Sequence, residues 1–320
     1  MPLTSLVNSF DVTFNLYSSE FMSQLFHSAA MTLSPSVYAI IVTFNGNWRN
    51  VAELVGRLKD DGIDYIIVDN GSENFDGSES LNVLSLGENL GIGSAQNLGI
   101  EYCKKHGASI IVFFDQDSKI KEGFIEALIR PILTGRTKIA APVFYDIKNG
   151  FAYPIVSIDK RGLRTKYYIE QMQCELRTNV VISSGTAVHV DVFMVVGLMN
   201  SNLFIDYVDT EWCLRCAEAG YTVLIDPDVR MDHSIGDKSL KLWRYRIPVH
   251  SPIRRYYRIR NSILLTRMLH VPKLMAFREI VFSILHQMIL IVMDRRERWK
   301  YFKYMCIGIG HGIFNKSGKL

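Results

Sequence analysis

The chain is poor in cysteine, with five in 320 residues, and the number is odd. Cys103, Cys174, Cys213, Cys216 and Cys306 are unevenly spread, which argues against a disulfide framework and for a reducing, cytosolic compartment. Cys213 and Cys216 form a CxxC inside the helical-looking "DTEWCLRCAEAG", and no second Cys/His pair at zinc-like spacing accompanies it. They are expected to be buried thiols acting as small hydrophobes. The first 34 residues contain no Lys or Arg, so the basic start of a secretory signal is missing. No run reaches the roughly 18 to 20 uninterrupted apolar residues of a membrane-spanning helix. The longest candidate, "IVFSILHQMILIVM" from Ile280 to Met293, holds a histidine and a glutamine. It is expected to lie in a membrane surface, with burial against the body as the alternative. Internal repeats and low-complexity stretches are absent.

What remains is a folded α/β chain: 48% hydrophobic, 21% charged, with a net charge of +4. That net charge hides an asymmetry. From Lys238 to Leu320 there are 18 Lys and Arg against 3 Asp and Glu, a net of +15, which leaves −11 for the first 237 residues. A basic tail on an acidic body predicts that the tail faces anionic lipid, a phosphorylated substrate or nucleic acid. Short apolar runs ("VYAIIVTFN", "DYIIVDNGS", "LNVLSL", "SIIVFFDQDS") alternate with the helical patterns "WRNVAELVGRLKDDG" and "GIGSAQNLGIEYCKKHG". This alternation predicts a mainly parallel central sheet with helices on both faces. The segment from Ile139 to Thr178 reads as a smaller mixed sheet, and beyond Lys238 the text turns basic, aromatic and helical. Expected divisions are an extension over 1–34, an α/β domain over 35–236 and a basic helical region over 237–320.

Ligands of such sheets collect at the carboxyl ends of strands, where Asn45, Asp69, Asn70, Asp115 and Asp117 all fall. Asp115 and Asp117 end one apolar run two residues apart, and the residues directly beside them, Phe114, Gln116 and Ser118, carry no charge to pair with. Either a divalent cation or exposure to water resolves that repulsion. Gly91 and Gly93 resemble a dinucleotide fingerprint only weakly, because Gln96 stands where the third glycine belongs. The spacing Asn89, Gly91, Ala95, Asn97, Gly99 instead sets amides and small residues around a helix start, where backbone N–H groups can meet a phosphate or sugar. Asp206, Asp209 and Glu211 cluster at a later helix start, and His233 follows another strand.

Taken together and in order, "DQD", "NLGIGSAQNLGI", "ISSG", "LFIDYVDTEWCLR" and "HSIG" resemble family 2 glycosyltransferases of the GT-A fold, over about Val37 to Gly236. The wording is most similar to bacterial dTDP-L-rhamnose-dependent rhamnosyltransferases of O-antigen and related polysaccharides. The resemblance implies that Asp117 binds Mg²⁺ or Mn²⁺ on the donor diphosphate, with Asp115 near the ribose or the metal and His233 completing the metal shell. It implies a nucleotide-sugar site of Thr43, Asn45, Asp69, Asn70, Gly91, Asn97 and Asp115. It places the catalytic base at Asp209, where Val208 stands for the usual preceding acid and Glu211 supplies a second carboxylate. The implied reaction is inverting transfer of L-rhamnose from dTDP-β-L-rhamnose to a lipid-linked glycan acceptor. The implied location is cytoplasmic, peripheral on the inner face of the bacterial membrane, with an anionic membrane surface as a partner and no nucleic acid. Homo-oligomerisation stays open, as does another nucleotide sugar.

Two other readings compete. A sugar nucleotidyltransferase normally has a glycine-rich basic loop after its first strand, where this chain has "TFNGNW". A non-catalytic membrane scaffold has no reason to keep Asp115, Asp117, Asp209 and His233 together.

Overall fold

A computed structural model describes residues 35–73, 81–146, 150–172, 174–232 and 249–320, with the backbone alone of 239–242 and 245–248. The N-terminal extension and His233 lie outside the described residues. The chain opens with β1 (Val37–Thr43), α1 (Trp48–Asp60), β2 (Asp64–Asp69), β3 (Val83–Ser85), α2 (Ile92–Lys105) and β4 (Ile110–Asp115). It continues through α3 (Phe124–Leu133), β5 (Ile139–Asp146), β6 (Phe151–Ala152), β7 (Ile155–Ile158), β8 (Arg164–Tyr167) and β9 (Leu176–Thr178). Next come β10 (Ala187–His189), α4 (Asp191–Val196), α5 (Val208–Glu218), β11 (Val223–Asp232), and the hairpin β12 (Ser239–Leu242) and β13 (Tyr245–Pro248). Three helices end the chain: α6 (Pro252–Leu265), α7 (Lys273–Met293) and α8 (Arg298–Ile313).

The central sheet runs β3-β2-β1-β4-β10-β5-β11-β9, with β6 paired to β5. β1, β2, β3 and β4 are mutually parallel, as are β5 and β11, while β10 is antiparallel to both β4 and β5. Alternation along each strand feeds two cores. Ile40, Val42, Ile111 and Phe113 point to one face, where Ala95, Ile100 and Cys103 of α2 and Trp212, Cys213 and Cys216 of α5 pack. Ala39, Ile41, Ile110, Val112 and Phe114 point to the other, under α1 (Val51, Leu54, Val55, Leu58) and α3 (Leu128, Ile129, Ile132). The CxxC thiols are therefore core side chains, both free and buried.

The mixed sheet expected between Ile139 and Thr178 is not a separate sheet. β5 and β9 belong to the central sheet, and only β7 and β8 form an independent hairpin. The apolar run Ile280–Met293 is the last two-thirds of a longer helix. α7 starts at Lys273 and runs through Arg278 and Glu279, whose charges are met by the protein body rather than by water. α8 packs closely on α6 because Gly308 and Gly312 leave room. A Cβ at Gly312 would sit 2.8 Å from Ile263 Cβ. Val37–Leu320 forms one unit, and α6, α7 and α8 all take part in its packing.

Candidate active site

Register brings the strand ends together. β1 sets Thr43 beside Asp69 and Val42 beside Asp115. A cavity of about 1040 Å³ opens over these ends, and Thr43, Asn70, Gly91, Asp115, Asp117 and Asp209 all line it. Thr43 Oγ1 donates to Asp69 Oδ1 at 3.1 Å, and both side chains are buried. Asp69 thus orients the wall from behind. Asn70 Oδ1 accepts from Leu90 N–H at 2.9 Å, and Asn70 Nδ2 donates to Asn89 Oδ1, which in turn accepts from Gly91 N–H. These bonds lock the approach to α2, whose first residues form one wall.

The other predicted residues divide. Asn45, with φ of +49°, is exposed and does not line the cavity; its Oδ1 accepts from Glu73 N–H. Asn97 is not brought to the cavity: its amide exchanges two hydrogen bonds with the backbone of Met199, at 2.9 and 2.8 Å. Glu211 is not brought there either. It is 2% exposed and gripped by Arg215 through both oxygens, with His270 Nε2 2.9 Å from Oε1. Two residues earlier, Asp209 reaches the cavity, its Oδ1 accepting from Thr210 N–H at 2.7 Å.

Asp115 and Asp117 form no ion pair among the described residues. Withdrawal from water, then the charges of Asp117 and Asp209, push the Asp115 carboxyl up to about 6, and Arg254 partly offsets this. Burial likewise raises Asp209, with Asp206 adding to the effect and the Thr210 N–H opposing it. The "ISSG" stretch supports this corner: the Ser184 hydroxyl accepts from Asp115 N–H at 3.3 Å and lies 2.9 Å from Ser118 Oγ. Three like-charged carboxylates gathered in one cleft suit a cation and a substrate that carries its own charge. Among the described residues, no group of three His, Cys, Asp or Glu is arranged to hold a metal.

Arginines of α6 form the wall that sequence reasoning missed. Arg254 and Arg258 line the cavity one turn apart, each 3.5 Å from a carboxylate oxygen of Asp206. Arg258 also lies over the Tyr207 ring at 4.9 Å, and Tyr207 donates to Glu279 at 3.1 Å. Arg255 and Arg260 of the same helix are fully buried instead. The i, i+4 spacing in "SPIRRYYRIRN" was a usable signal, but a sum of charges carries no direction.

A nine-stranded sheet of this order gathers acids over its strand ends, where ligands of such sheets bind. Residues 38–197 match the family described as Glycosyl transferase family 2. A dTDP-rhamnosyl transferase, RfbF of Shigella flexneri, is 43% identical over 291 residues, covering 89% of this chain and 98% of that protein. The chain therefore belongs to glycosyltransferase family 2 and is a glycosyltransferase. An uncharacterized protein of Mycobacterium tuberculosis is 28% identical over 57% of this chain. Among solved structures, S. aureus TarS 1–349 in complex with UDP-GlcNAc superposes with a TM-score of 0.52 at 11% identity, covering 87% of this chain and 81% of that one. The fold is GT-A.

Proposed function

We propose that the protein transfers L-rhamnose from dTDP-β-L-rhamnose to a hydroxyl of a lipid-linked glycan, in the synthesis of O-antigen or a related surface polysaccharide. The observation that carries the donor is the 43% identity to a dTDP-rhamnosyl transferase across 98% of its length. The cavity supplies the parts. Thr43, Asn70 and Gly91 line the side given to the nucleoside, with Asp69 behind them. Asp115 and Asp117 would hold Mg²⁺ or Mn²⁺, which when bound screens the departing diphosphate. Their oxygen-only donor set, and their like charges without an ion-pair partner among the described residues, fit such a cation. Arg254 lines the same cavity and its charge acts on Asp115, so it would meet the same diphosphate.

Asp209 takes the proton of the acceptor hydroxyl, whose oxygen attacks the anomeric carbon opposite the nucleotide. The bond from that carbon to the diphosphate oxygen breaks, and the nucleotide leaves with the electron pair. One displacement inverts the centre, so a β donor gives an α-linked product. Burial that raises Asp209 improves it as a base, since its conjugate acid then lies nearer neutral pH.

The tail is assigned to the membrane surface. In α7 the polar Ser283 and Gln287 face inward, accepting from Arg255 at the Ser283 carbonyl and at Gln287 Oε1. Phe277, Val281, Phe282, Leu285 and Val292 face out, each more than half exposed. An 18-residue stretch of this helix has mean hydropathy 1.6 and, turned apolar side outward, fits lipid better than water. Exposed Arg295, Arg296, Lys300 and Lys303 follow it and favour anionic headgroups. Met275, Arg278 and Glu279 of the same helix line the cavity, which brings a lipid-linked acceptor to the site. The test is turnover on purified protein with dTDP-rhamnose, UDP-sugars and GDP-sugars, with and without Mg²⁺. Turnover with a UDP-sugar and none with dTDP-rhamnose overturns the donor.

A further inference from the structure

Three residues before α5 have left-handed backbone: Phe204 (φ +65°), Asp206 (φ +63°) and Tyr207 (φ +65°). Aspartate tolerates this region, whereas bulky aromatic residues adopt it rarely. At Phe204 the chain makes a γ-turn of the rarer hand, closed by Ile205 N–H on Leu203 O at 2.8 Å. Strained backbone persists where its surroundings over-determine it, and it concentrates at functional sites.

Here the surroundings are two side chains of α6. Asn261 Nδ2 lies 2.8 Å from Leu203 O, 2.7 Å from Ile205 O and 3.1 Å from Asp206 O. Asn261 Oδ1 accepts from Arg260 Nε and Nη2 at 2.9 and 2.8 Å, which fixes the amide's orientation. The same guanidinium donates to Leu203 O at 3.0 Å. Both side chains are fully buried, and the Phe204 ring stacks on Tyr257 with centroids 4.6 Å apart. A buried amide and guanidinium cost stability unless their groups are satisfied. The Asn261 amide is satisfied by carbonyls of this one turn, and Arg260 is satisfied by Asn261 Oδ1, Leu203 O and the Gly318 carbonyl. The turn leads directly into Asp209, the second residue of α5.

We propose that Asn261, oriented by Arg260, is a positioning residue of the transfer reaction: it holds the strained Leu203–Tyr207 turn and thereby aims the Asp209 carboxylate at the acceptor hydroxyl. This rests on the reading of Asp209 as the base. A base displaced by about an ångström loses on the order of 100-fold in rate without loss of donor contacts.

The experiment compares Asn261→Asp, Arg260→Lys and Asp209→Asn with the unaltered enzyme. Turnover is normalised to nucleotide-binding sites counted by titration calorimetry with dTDP and Mg²⁺, which removes any change in folded fraction. Asn261→Asp keeps size but turns an oxygen toward carbonyls, and its normalised kcat should fall about 10- to 100-fold with donor KM changed less than about threefold. Arg260→Lys keeps the charge, loses the two-pronged grip on Oδ1, and should show the same split at roughly 3- to 10-fold. A normalised kcat within twofold for both, or a loss residing in donor KM, overturns the proposal. If Asp209→Asn retains turnover, the base assignment fails instead. Hydrogen exchange on the unaltered chain needs no variant: amides of 203–209 should exchange as slowly as those of α6, and rapid exchange there overturns the clamp.

Discussion

A Cβ added at Gly91 would lie 2.6 Å from the carbonyl oxygen of Phe204, so the opening of α2 and the turn before α5 touch backbone to backbone. Ile92 N–H donates to the same carbonyl at 2.8 Å. The opening of α2 and the turn that leads into Asp209 are therefore one packed unit. Gly91 also has φ of +87°, which an alanine adopts only with strain. Gly91→Ala is expected to lower both dTDP affinity and turnover by at least about tenfold, with a cost of about 1–3 kcal/mol in stability. Equal melting temperature and kinetics in the variant would contradict this contact.

On the proposed reading, charge on the diphosphate is met by a metal at Asp115 and Asp117 and by Arg254. Asp117→Ala should abolish transfer and remove the Mg²⁺-dependent part of the thermal shift with dTDP. Arg254→Gln should weaken dTDP binding by about 1.5–3 kcal/mol, the worth of a hydrogen bond to a charged group, while Mg²⁺ dependence persists. EDTA without effect on the wild type would refute the metal, and unchanged affinity in Arg254→Gln would refute the arginine.

Asp209 and Glu211 differ in what their loss should do. Asp209→Asn is expected to cost about 10²- to 10⁴-fold in turnover with dTDP binding nearly intact. Glu211→Gln leaves Arg215 and His270 short of a buried charge, so its effect should be on stability, about 2 kcal/mol or roughly 4–8 °C in melting temperature. Turnover per folded molecule should remain. A stable but inactive Glu211→Gln beside an active Asp209→Asn would move the base to Glu211.

The nearness of these assignments shows where sequence reasoning stops. β1, β2 and β4 were legible because strands covered on both faces read as unbroken apolar runs, and the register then follows. Thr43, Asn70, Asp115 and Asp117 reach one cavity because parallel pairing sets these strand ends side by side, and Asp209 joins them from the start of α5. Asn97 was misplaced because an amide near a helix start looks the same whether it faces a ligand or the backbone of Met199. The α6 arginines were hidden in a total: Arg255 and Arg260 are internal, and Arg254 and Arg258 face the cleft, so much of the tail's charge never meets a membrane.

Asp115 makes the metal-free protein sensitive to pH with a definite sign. Its carboxyl stands at about 6, above the unfolded value of about 3.9, so the folded chain holds this proton more tightly. Its contribution to stability is present at low pH and is lost as pH rises from about 4 through about 6. Asp115→Asn should therefore raise the melting temperature relative to wild type, by a margin that grows across that window to the equivalent of up to about 2 kcal/mol. The same variant should lose the metal-dependent nucleotide shift. A margin that shrinks with rising pH would contradict the site's electrostatics.

The outward face of α7 predicts a phase preference. Phe277→Glu with Phe282→Glu should leave folding and dTDP binding intact, because both rings are exposed. Binding to phosphatidylglycerol vesicles should weaken by about 1.5–3 kcal/mol per ring, most visibly at high salt, where the basic contribution is screened. Unchanged co-sedimentation would remove α7 from the membrane.

Asn261 gives the C-terminal helices an evolutionary constraint. A region that only held the enzyme near its substrate would be portable, open to exchange between relatives by a crossover near residue 237. This one is not portable, because the carbonyls of Leu203 and Ile205 are bonded by an amide from α6. Recombinants joined between the Leu203–Tyr207 turn and α6 must inherit a matched turn and clamp or lose both. Productive crossovers are expected upstream of the turn, and new acceptor preferences are expected to arise by point changes on α6 and α7 rather than by wholesale replacement of the tail.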